Sequence, residues 1–284
     1  MKSMLVGIDG SERGAKALQW AAARARRDGS SLRLASVVDA RFVEEAGLDE
    51  DDVAHSVARF LEDTAADARR AHPGIEVSTE VLSGGVVEAL ADAADAHDAA
   101  VLGSHHGSKL GETIGGAKGL RVSVNSHVPT IVVPADWDEA APGEGVVVGV
   151  GPNASSDAAV AFGVREALAA RTSLHLVSAW GLPPFLARPA EAMGGGLAPV
   201  GAQFQRRLDG YARAIREAHP ELEVTASAVE GPSPTRVIAR CCEGRALLVL
   251  GTRPAGVLGR ALFGSVPHSV LQNLRIPTAV VPQA

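Results

Sequence analysis

An internal repeat is the feature of this 284-residue chain that most constrains its fold. The segment SLRLAS at Ser31–Ser36 returns as SLHLVS at Ser173–Ser178, and the segment VPTIVVP at Val128–Pro134 returns as IPTAVVP at Ile276–Pro282. A period of about 20 to 50 residues would indicate a solenoid, whereas this much longer period indicates two complete domains. We therefore expect two copies of one domain, and two copies of any site that the domain carries.

Each copy alternates short apolar runs with stretches of helical periodicity, which is typical of βαβ units and a parallel sheet. In the first copy these patterns predict strands near 4–8, 31–38, 75–82, 99–103 and 129–133, and helices near 12–28, 50–71, 86–97 and 117–126. The second copy repeats this order. The sequence thus predicts two tandem flavodoxin-like α/β domains, each with a doubly wound, five-stranded parallel sheet.

The boundaries follow from composition. We expect a first domain over residues 1–134, an acidic and turn-rich linker over 135–145, and a second domain over 146–284. The segment Gly181–Gly201 is rich in proline and glycine, which predicts an irregular loop. The last strands of the two copies are short and apolar and would otherwise be exposed edges, so we expect them to pair and form an intramolecular pseudo-dimer.

Charge and cysteine content exclude several function classes. A net charge of −6 argues against a broad surface for nucleic acid or for an anionic membrane. The two cysteines, Cys241 and Cys242, are adjacent, so no disulfide framework is expected and a reducing compartment is acceptable. No apolar run approaches the length of a membrane span. We expect a cytoplasmic protein without nucleic-acid or membrane partners.

Two places in each copy carry chemistry. Asp9 ends the first strand, where open α/β sheets bind ligands, although it equally fits the role of an acid at a helix start beside a capping Ser11. A glycine-rich segment follows the fourth strand at Gly103–Gly111 and returns at Gly251–Gly259. A strand, a glycine loop and a helix N-terminus together aim backbone N–H groups at phosphate, while the alternative interpretation is a flexible loop.

These two places can serve one ligand only if the first and fourth strands are neighbours. That arrangement requires the strand order to reverse between them, and this reversal forms the usual crevice for nucleotides. The two motifs therefore predict a topology and a ligand class together.

At this point the chain resembles the universal stress protein family, in its tandem two-domain form, over nearly all of its length. The family pattern is an Asp at the end of strand one, then G-x-x-G, nine residues and G-[ST] after strand four, and a closing Pro-x-x-Val-Val. The resemblance implies that ATP, with or without Mg²⁺, binds in this cleft in members that keep the motif. It assigns nucleotide contacts to the following residues: Asp9, Val37, Gly103, Gly107, Gly116 and Ala117 in the first copy, and Ala179, Gly251, Arg253, Gly264, Ser265 and Val266 in the second. Within this set, Val37 and Ala179 would line the adenine pocket.

Both copies depart from the pattern, in different ways. In the first copy the second glycine of the loop is His106, with Gly107 one place later, and the Ser/Thr after the last glycine is Ala117. In the second copy the strand-one Asp is Gly151 and the second loop glycine is Pro254, which removes an N–H donor. The first copy thus keeps the adenosine end of a site and the second copy keeps the phosphate end.

No nucleophile–base pair is visible in the sequence, so no catalytic residue is assigned and an efficient enzyme is not expected. The function that the sequence predicts is an ATP-binding regulatory protein of the stress response. Two alternatives stay open: an interaction scaffold of the same fold that has lost nucleotide binding, and a slow ATPase. A protein partner of unknown identity and a homodimer are compatible with either.

Overall fold

The computed structural model describes residues 2–104, 121–123, 125–151, 156–181, 198–231, 233–252, 270 and 275–283. The chain divides into two compact units. The first contains Met1–Ala141 together with Leu271–Pro282, and the second contains Pro142–Val270. Each unit combines a mostly parallel sheet with helices, as the repeat predicts.

The first unit follows an alternating order of strands and helices. Its elements are β1 (Ser3–Gly7), α1 (Glu12–Asp28), β2 (Ser31–Val38), α2 (Ala40–Glu45), α3 (Glu50–Ala71), β3 (Val77–Ser83), α4 (Val86–Ala94), β4 (Ala99–Gly103) and β5 (Thr130–Val133). The sheet order is β3-β2-β1-β4-β5, and neighbouring strands are parallel. Met4 of β1 pairs with Leu32 on one side and with Ala99 on the other, so the predicted reversal of strand order at β1 is confirmed.

The second unit repeats this arrangement. Its described elements are β6 (Val146–Gly149), α5 (Asp157–Ala170), β7 (Leu174–Trp180), α6 (Ala198–Ala218), β8 (Val224–Glu230), α7 (Pro234–Cys241) and β9 (Leu247–Gly251). The strands lie in the order β9-β6-β7-β8 and are parallel, with β6 between β7 and β9 as β1 lies between β2 and β4.

The last strand of the chain, β10 (Thr278–Val281), pairs antiparallel with β5. Thr278 lies opposite Val132, and Val280 lies opposite Thr130. Every residue of both strands is buried. The expected pairing of the two last strands is therefore present, and it covers two short apolar edges with backbone hydrogen bonds and apolar contact.

Three local expectations differ from the structure. The six-residue helix α2 was not predicted, because only Val43 in it is buried and so short a segment shows no periodicity. Helix α4 ends at Ala94 rather than near 97. The residues after Ala94 form tighter i→i−3 hydrogen bonds, such as that from the His97 N–H to the Ala94 carbonyl oxygen. The segment Gly181–Gly201 is not irregular throughout, since α6 begins at Ala198; residues 182–197 lie outside the described part.

The start of α6 is positioned by Trp180, the last residue of β7. A Cβ on Gly201 would lie 2.5 Å from the Trp180 ring, so only glycine lets the helix approach the ring this closely. The ring also stacks on Phe204, with centroids 6.1 Å apart. Trp180 is 8% exposed as a result.

The first helix of each unit ends at equivalent positions with different residues. The residue that caps the C-terminus of α1 is Gly29, whose φ of 73° lies in the left-handed region that glycine adopts freely. The residue that caps the C-terminus of α5 is Arg171, the counterpart of Gly29, and its φ is 52°. In the described part of the chain Arg171 is the one non-glycine residue with positive φ. A side chain there costs about 1–2 kcal/mol relative to glycine.

We predict that Arg171→Gly stabilises the second unit by about 1 kcal/mol. Glycine removes the steric cost of a side chain in the left-handed conformation, and this gain exceeds the extra conformational entropy that glycine loses on folding. The melting temperature should rise by about 2–4 °C in differential scanning calorimetry. The reciprocal control Gly29→Ala should lower the melting temperature of the first unit. An unchanged melting temperature in both variants would show that a side chain at these left-handed positions causes no strain.

Candidate functional site

Asp9 lies in the turn that joins β1 to α1. Its carboxylate Oδ1 accepts hydrogen bonds from the Ser11 backbone N–H at 3.0 Å and from Ser11 Oγ at 2.5 Å. Ser11 is also the N-cap of α1, since its Oγ accepts from the Gly14 N–H at 3.3 Å. The capping role expected for Ser11 is confirmed. The same serine fixes the orientation of the Asp9 carboxylate at the carboxyl end of the sheet.

Opposing effects act on the pKa of Asp9. Partial burial alone would raise the pKa, but the two hydrogen bonds from Ser11 and the positive charge of Arg13 outweigh it, and the pKa is lowered overall. Asp9 is therefore an anion that accepts hydrogen bonds throughout the neutral range. Part of this carboxylate is exposed, so it remains available to a ligand.

A cavity of about 250 Å³ adjoins this carboxylate. It lies at the carboxyl ends of β1, β2 and β4, the crevice that the reversed strand order creates. Three of the residues predicted to contact nucleotide, Asp9, Val37 and Gly103, line this one cavity. The remaining lining residues are Gly7, Ile8, Arg13, Gly14, Ala35, Ser36, Val86, Leu90, Leu102 and Val122.

One wall of the cavity is apolar and continuous with the hydrophobic core. Leu90 of α4, Leu102 of β4 and Val122 belong to one buried cluster, and Val37 and Val86 pack against it. This wall gives a flat apolar group a place to be buried. Asp9 and Arg13 also line the cavity and are its charged residues in the described part of the chain. An apolar pocket with a few polar groups is the usual form of a small-molecule site.

Gly103 has a packing role in addition to the predicted one. A Cβ at this position would lie 2.4 Å from the backbone oxygen of Arg13, which no rearrangement of a side chain could relieve. Glycine is therefore required for the end of β4 to pack against the first turn of α1. This close approach brings the strand-four motif next to Asp9.

Arg13 is a charged residue of this cavity that was not predicted from the sequence. It lies in the first turn of α1, four residues after Asp9, and its half-buried side chain lines the cavity. Its position in that first turn was the available signal, since the start of the helix lies at the same sheet edge as Asp9. A guanidinium here supplies a positive charge that suits an anionic ligand.

The second copy has no carboxylate at the corresponding turn. Gly151 occupies the place of Asp9, and its N–H donates to Ser156 Oγ at 2.9 Å. A Cβ at Gly151 would lie no closer than 3.7 Å to a neighbouring atom, so a larger residue fits there. Of the predicted contacts, Gly251 is the last residue of β9, and Ala179 is half-buried one residue before the end of β7 in the same sheet.

The remaining predicted contacts lie outside the described residues. They are Gly107, Gly116 and Ala117 in the first copy, and Arg253, Gly264, Ser265 and Val266 in the second. Their contact with nucleotide stays a prediction from the sequence.

Both cysteines of the chain, Cys241 and Cys242, are free thiols in the described ranges. Burial raises the pKa of the Cys242 thiol to about 12, and burial also raises the pKa of Cys241, so neither thiol is an activated nucleophile. No group of three or more histidine, cysteine or acidic residues in these ranges is placed to hold a metal ion. No helix in the same ranges is long and apolar enough to cross a bilayer.

We predict that Ser11→Ala raises the pKa of Asp9, because the side-chain hydrogen bond disappears while partial burial, which raises the pKa, remains. A carbon-detected NMR titration of the Asp9 carboxyl would measure the change. Ser11→Thr keeps the hydroxyl and should leave the pKa near its wild-type value. A pKa that is equally low in Ser11→Ala would mean that the Ser11 hydroxyl does not stabilise the carboxylate.

Comparison with known proteins agrees with this geometry. The model of the universal stress protein family matches residues 1–134 and again residues 144–282. Universal stress protein Rv2005c of Mycobacterium tuberculosis is 25% identical, over 99% of this chain and 97% of its own length. A universal stress protein of Mycolicibacterium smegmatis is 30% identical over 48% of this chain and 47% of its own length.

Among solved structures, that of a universal stress protein from Archaeoglobus fulgidus superposes with a TM-score of 0.71. It covers 99% of this chain and 98% of its own, at 18% identity, which supports the fold. Two consecutive family matches, on a chain whose two copies share one strand order, account for the repeat that the sequence displays. The chain belongs to the universal stress protein family, as a tandem of two family domains.

Proposed function

We propose that this chain is an adenine-nucleotide-responsive regulatory protein of the cytoplasm, and that nucleotide binds in the cavity beside Asp9. The observation that carries the proposal is the placement of Asp9, Val37 and Gly103 around one cavity at the reversal of strand order. The domain boundaries at 134 and 146, with the linker 135–145, are part of the same proposal.

The residues of the cavity suit a nucleoside. Its apolar wall, formed by residues such as Val37 and Leu90, would contact the flat base. The Asp9 carboxylate would accept hydrogen bonds from sugar hydroxyls, since its lowered pKa keeps it ionised. Arg13 would offset the negative charge of the phosphates, which the glycine loop after β4 would receive on backbone N–H groups. When the ligand is the Mg²⁺ complex of ATP, the ion would bind together with the phosphates.

The two alternatives predict different behaviour. A scaffold that has lost nucleotide binding would need no ionised carboxylate at Asp9, and it would be purified without nucleotide. A slow ATPase would require an activated water or nucleophile, and among the described residues at this cavity the ionisable groups are Asp9 and Arg13 alone. We propose binding without efficient turnover, because no nucleophile–base pair is visible in the sequence.

We predict that freshly purified protein releases adenine nucleotide when it is denatured, and that Asp9→Ala releases much less. Loss of a hydrogen bond to a charged group costs about 1.5–3 kcal/mol, which corresponds to roughly a ten- to a hundredfold weaker affinity for ATP. Chromatography of the released nucleotide and calorimetric titration with ATP would measure both effects.

Asp138→Ala, at an exposed acid of the linker, serves as the matched control and should bind as the wild type does. Release of no nucleotide and no heat with ATP would favour the scaffold. Phosphate release above a control without protein would favour the slow ATPase.

The second copy offers a gain-of-function experiment. The double change Gly151→Asp and Pro254→Gly restores the acid and one N–H donor that the family pattern has. There is room for a side chain at Gly151, since the nearest atom to its Cβ would be Ser156 Oγ at 3.7 Å. If each restored bond contributes about 1–2 kcal/mol, affinity for ATP at this copy should rise on the order of a hundredfold, with incomplete additivity.

This titration should be performed in the Asp9→Ala background, so that the first copy does not obscure the second. The single change Gly151→Asp is the control for the contribution of the loop proline. A double variant that folds like the parent by circular dichroism yet binds ATP no better would show that the second copy is not a latent nucleotide site.

A further inference from the structure

The apolar exposure of the described chain is concentrated on one segment. The large hydrophobic side chains that are exposed there are Phe42 at 66%, Leu48 at 53% and Phe60 at 41%. All three lie on α2, on α3 or on the turn between them, in the first copy. Single exposed apolar residues need no explanation, but a cluster of large ones on one surface indicates a binding surface.

Two hollows flank Phe60 along α3. The first, about 470 Å³, lies at the start of the helix and includes Leu48, Val53 and Val57. The second, about 420 Å³, lies between α1 and α3 and includes Ala15, Leu18, Ala22, Thr64 and Ala68. Phe60 lines both hollows, so they form one surface, which we call the α3 groove.

The α3 groove follows one side of the helix. Its α3 residues Val53, Val57, Phe60, Thr64, Ala68 and Ala71 recur at intervals of three and four, which places them on one face. From the first of these residues to the last, a rise of 1.5 Å per residue gives a length of about 27 Å. A groove of this length and shape fits an extended partner, such as a helix of about five turns, better than a compact ligand.

The second copy shows the same helix pair with the part of the groove that lies between the two helices filled. Tyr211 stands at the position of Thr64 and donates its hydroxyl hydrogen bond across to Asp157 on α5, at the position of Ala15. Ile215 and Val164 replace Ala68 and Ala22, and both are buried. The exposed Phe60 is replaced by Arg207. The fold therefore does not require an open groove at this place.

The segment that carries the α3 groove is acidic overall. Between Glu44 and Ala71 the sequence has nine acidic residues and three arginines. Asp49 and Asp52 line the groove beside Phe60, while Asp67 at its other end pairs with Arg70. Carboxylates around an apolar groove attract a partner with apolar residues on one side and basic residues at its edges. They also repel anionic lipid and a second copy of this acidic segment.

We propose that the α3 groove binds a basic amphipathic helix of a partner protein. The apolar side of that helix would pack on Phe60, Leu48 and the small residues between α1 and α3. Its lysines and arginines would lie near Asp49 and Asp52. This proposal does not depend on nucleotide binding, because it uses side chains of α1 and α3; the groove shares Ile8 with the nucleotide cavity but not Asp9.

The experiment uses the full-length protein and three labelled 18-residue peptides in fluorescence anisotropy at physiological salt. The first peptide has leucines on one helical face and lysine and arginine on the other. The second replaces every basic residue by glutamate, and the third has the composition of the first in an order that breaks the apolar face. We expect the first peptide to bind with a micromolar dissociation constant and the other two at least tenfold more weakly.

Variants then locate the binding surface. Phe60→Arg and Thr64→Tyr introduce the residues of the second copy, and each should weaken binding of the basic peptide at least tenfold. Asp52→Lys should weaken it about threefold, since one exposed charge contributes less than 1 kcal/mol. Glu139→Lys makes the same charge change at an exposed linker position and should bind as the wild type does. Circular dichroism and melting temperature check that each variant is folded.

Several outcomes would overturn the proposal. They are failure of the basic peptide to bind at concentrations up to about 1 mM, equal binding of all three peptides, and wild-type affinity in folded Phe60→Arg and Thr64→Tyr. Dimerisation of the protein in sedimentation, abolished by Phe60→Arg, would assign the groove to a second copy instead. The nucleotide-release experiment is unaffected by any of these results, so the two proposals fail separately.

Discussion

Pairing of β1 with β2 on one side and β4 on the other is the constraint on which the rest of the first unit depends. Because the three strands are parallel, their carboxyl ends meet at one edge of the sheet, and the chain leaves them in different directions. Asp9, Val37 and Gly103 are separated by tens of residues in sequence and line one cavity for this reason. The close approach at Gly103, where a Cβ would touch the Arg13 carbonyl oxygen, keeps that edge compact.

The two copies show how one scaffold accepts different side chains at equivalent positions. Between the second and third strands of the first sheet, Arg33 and Glu80 form a loose ion pair at 3.9 Å. At the same place in the second sheet, His175 contacts Ser227 and Thr225 through hydrogen bonds of 3.0 and 2.7 Å. Burial, followed by the charge of Arg245, lowers the pKa of His175, which favours its neutral form. A polar contact across neighbouring strands is kept while its charge is lost.

Comparison of the two copies also distinguishes contacts that the fold requires from features that are free to serve a function. Arg69 of α3 and Arg216 of α6 each donate to a strand carbonyl at 2.6 Å, so this contact between helix and sheet recurs in both copies. The hollow between α1 and α3 does not recur in the described part of the second copy, because Tyr211 and Ile215 fill it there. The carboxylate at the end of the first strand does not recur either, since Gly151 replaces Asp9. Features present in one copy alone are not demanded by packing.

Sequence by itself determined the tandem arrangement, the order of strands and helices, the reversal at β1 and the three residues that line the cavity. Repeats, periodicity and turn residues are local signals, and they were sufficient for the arrangement and the topology, whereas the three cavity residues were assigned through the resemblance to the family. Three features were decided by the tertiary structure alone. Arg13 lines the cavity, and an open groove lies between α1 and α3. Helix α4 ends just before Asp95, whose carboxylate contacts the His127 ring at 2.7 Å. Each depends on the distance between side chains on separate elements, which packing sets and the order of residues does not reveal.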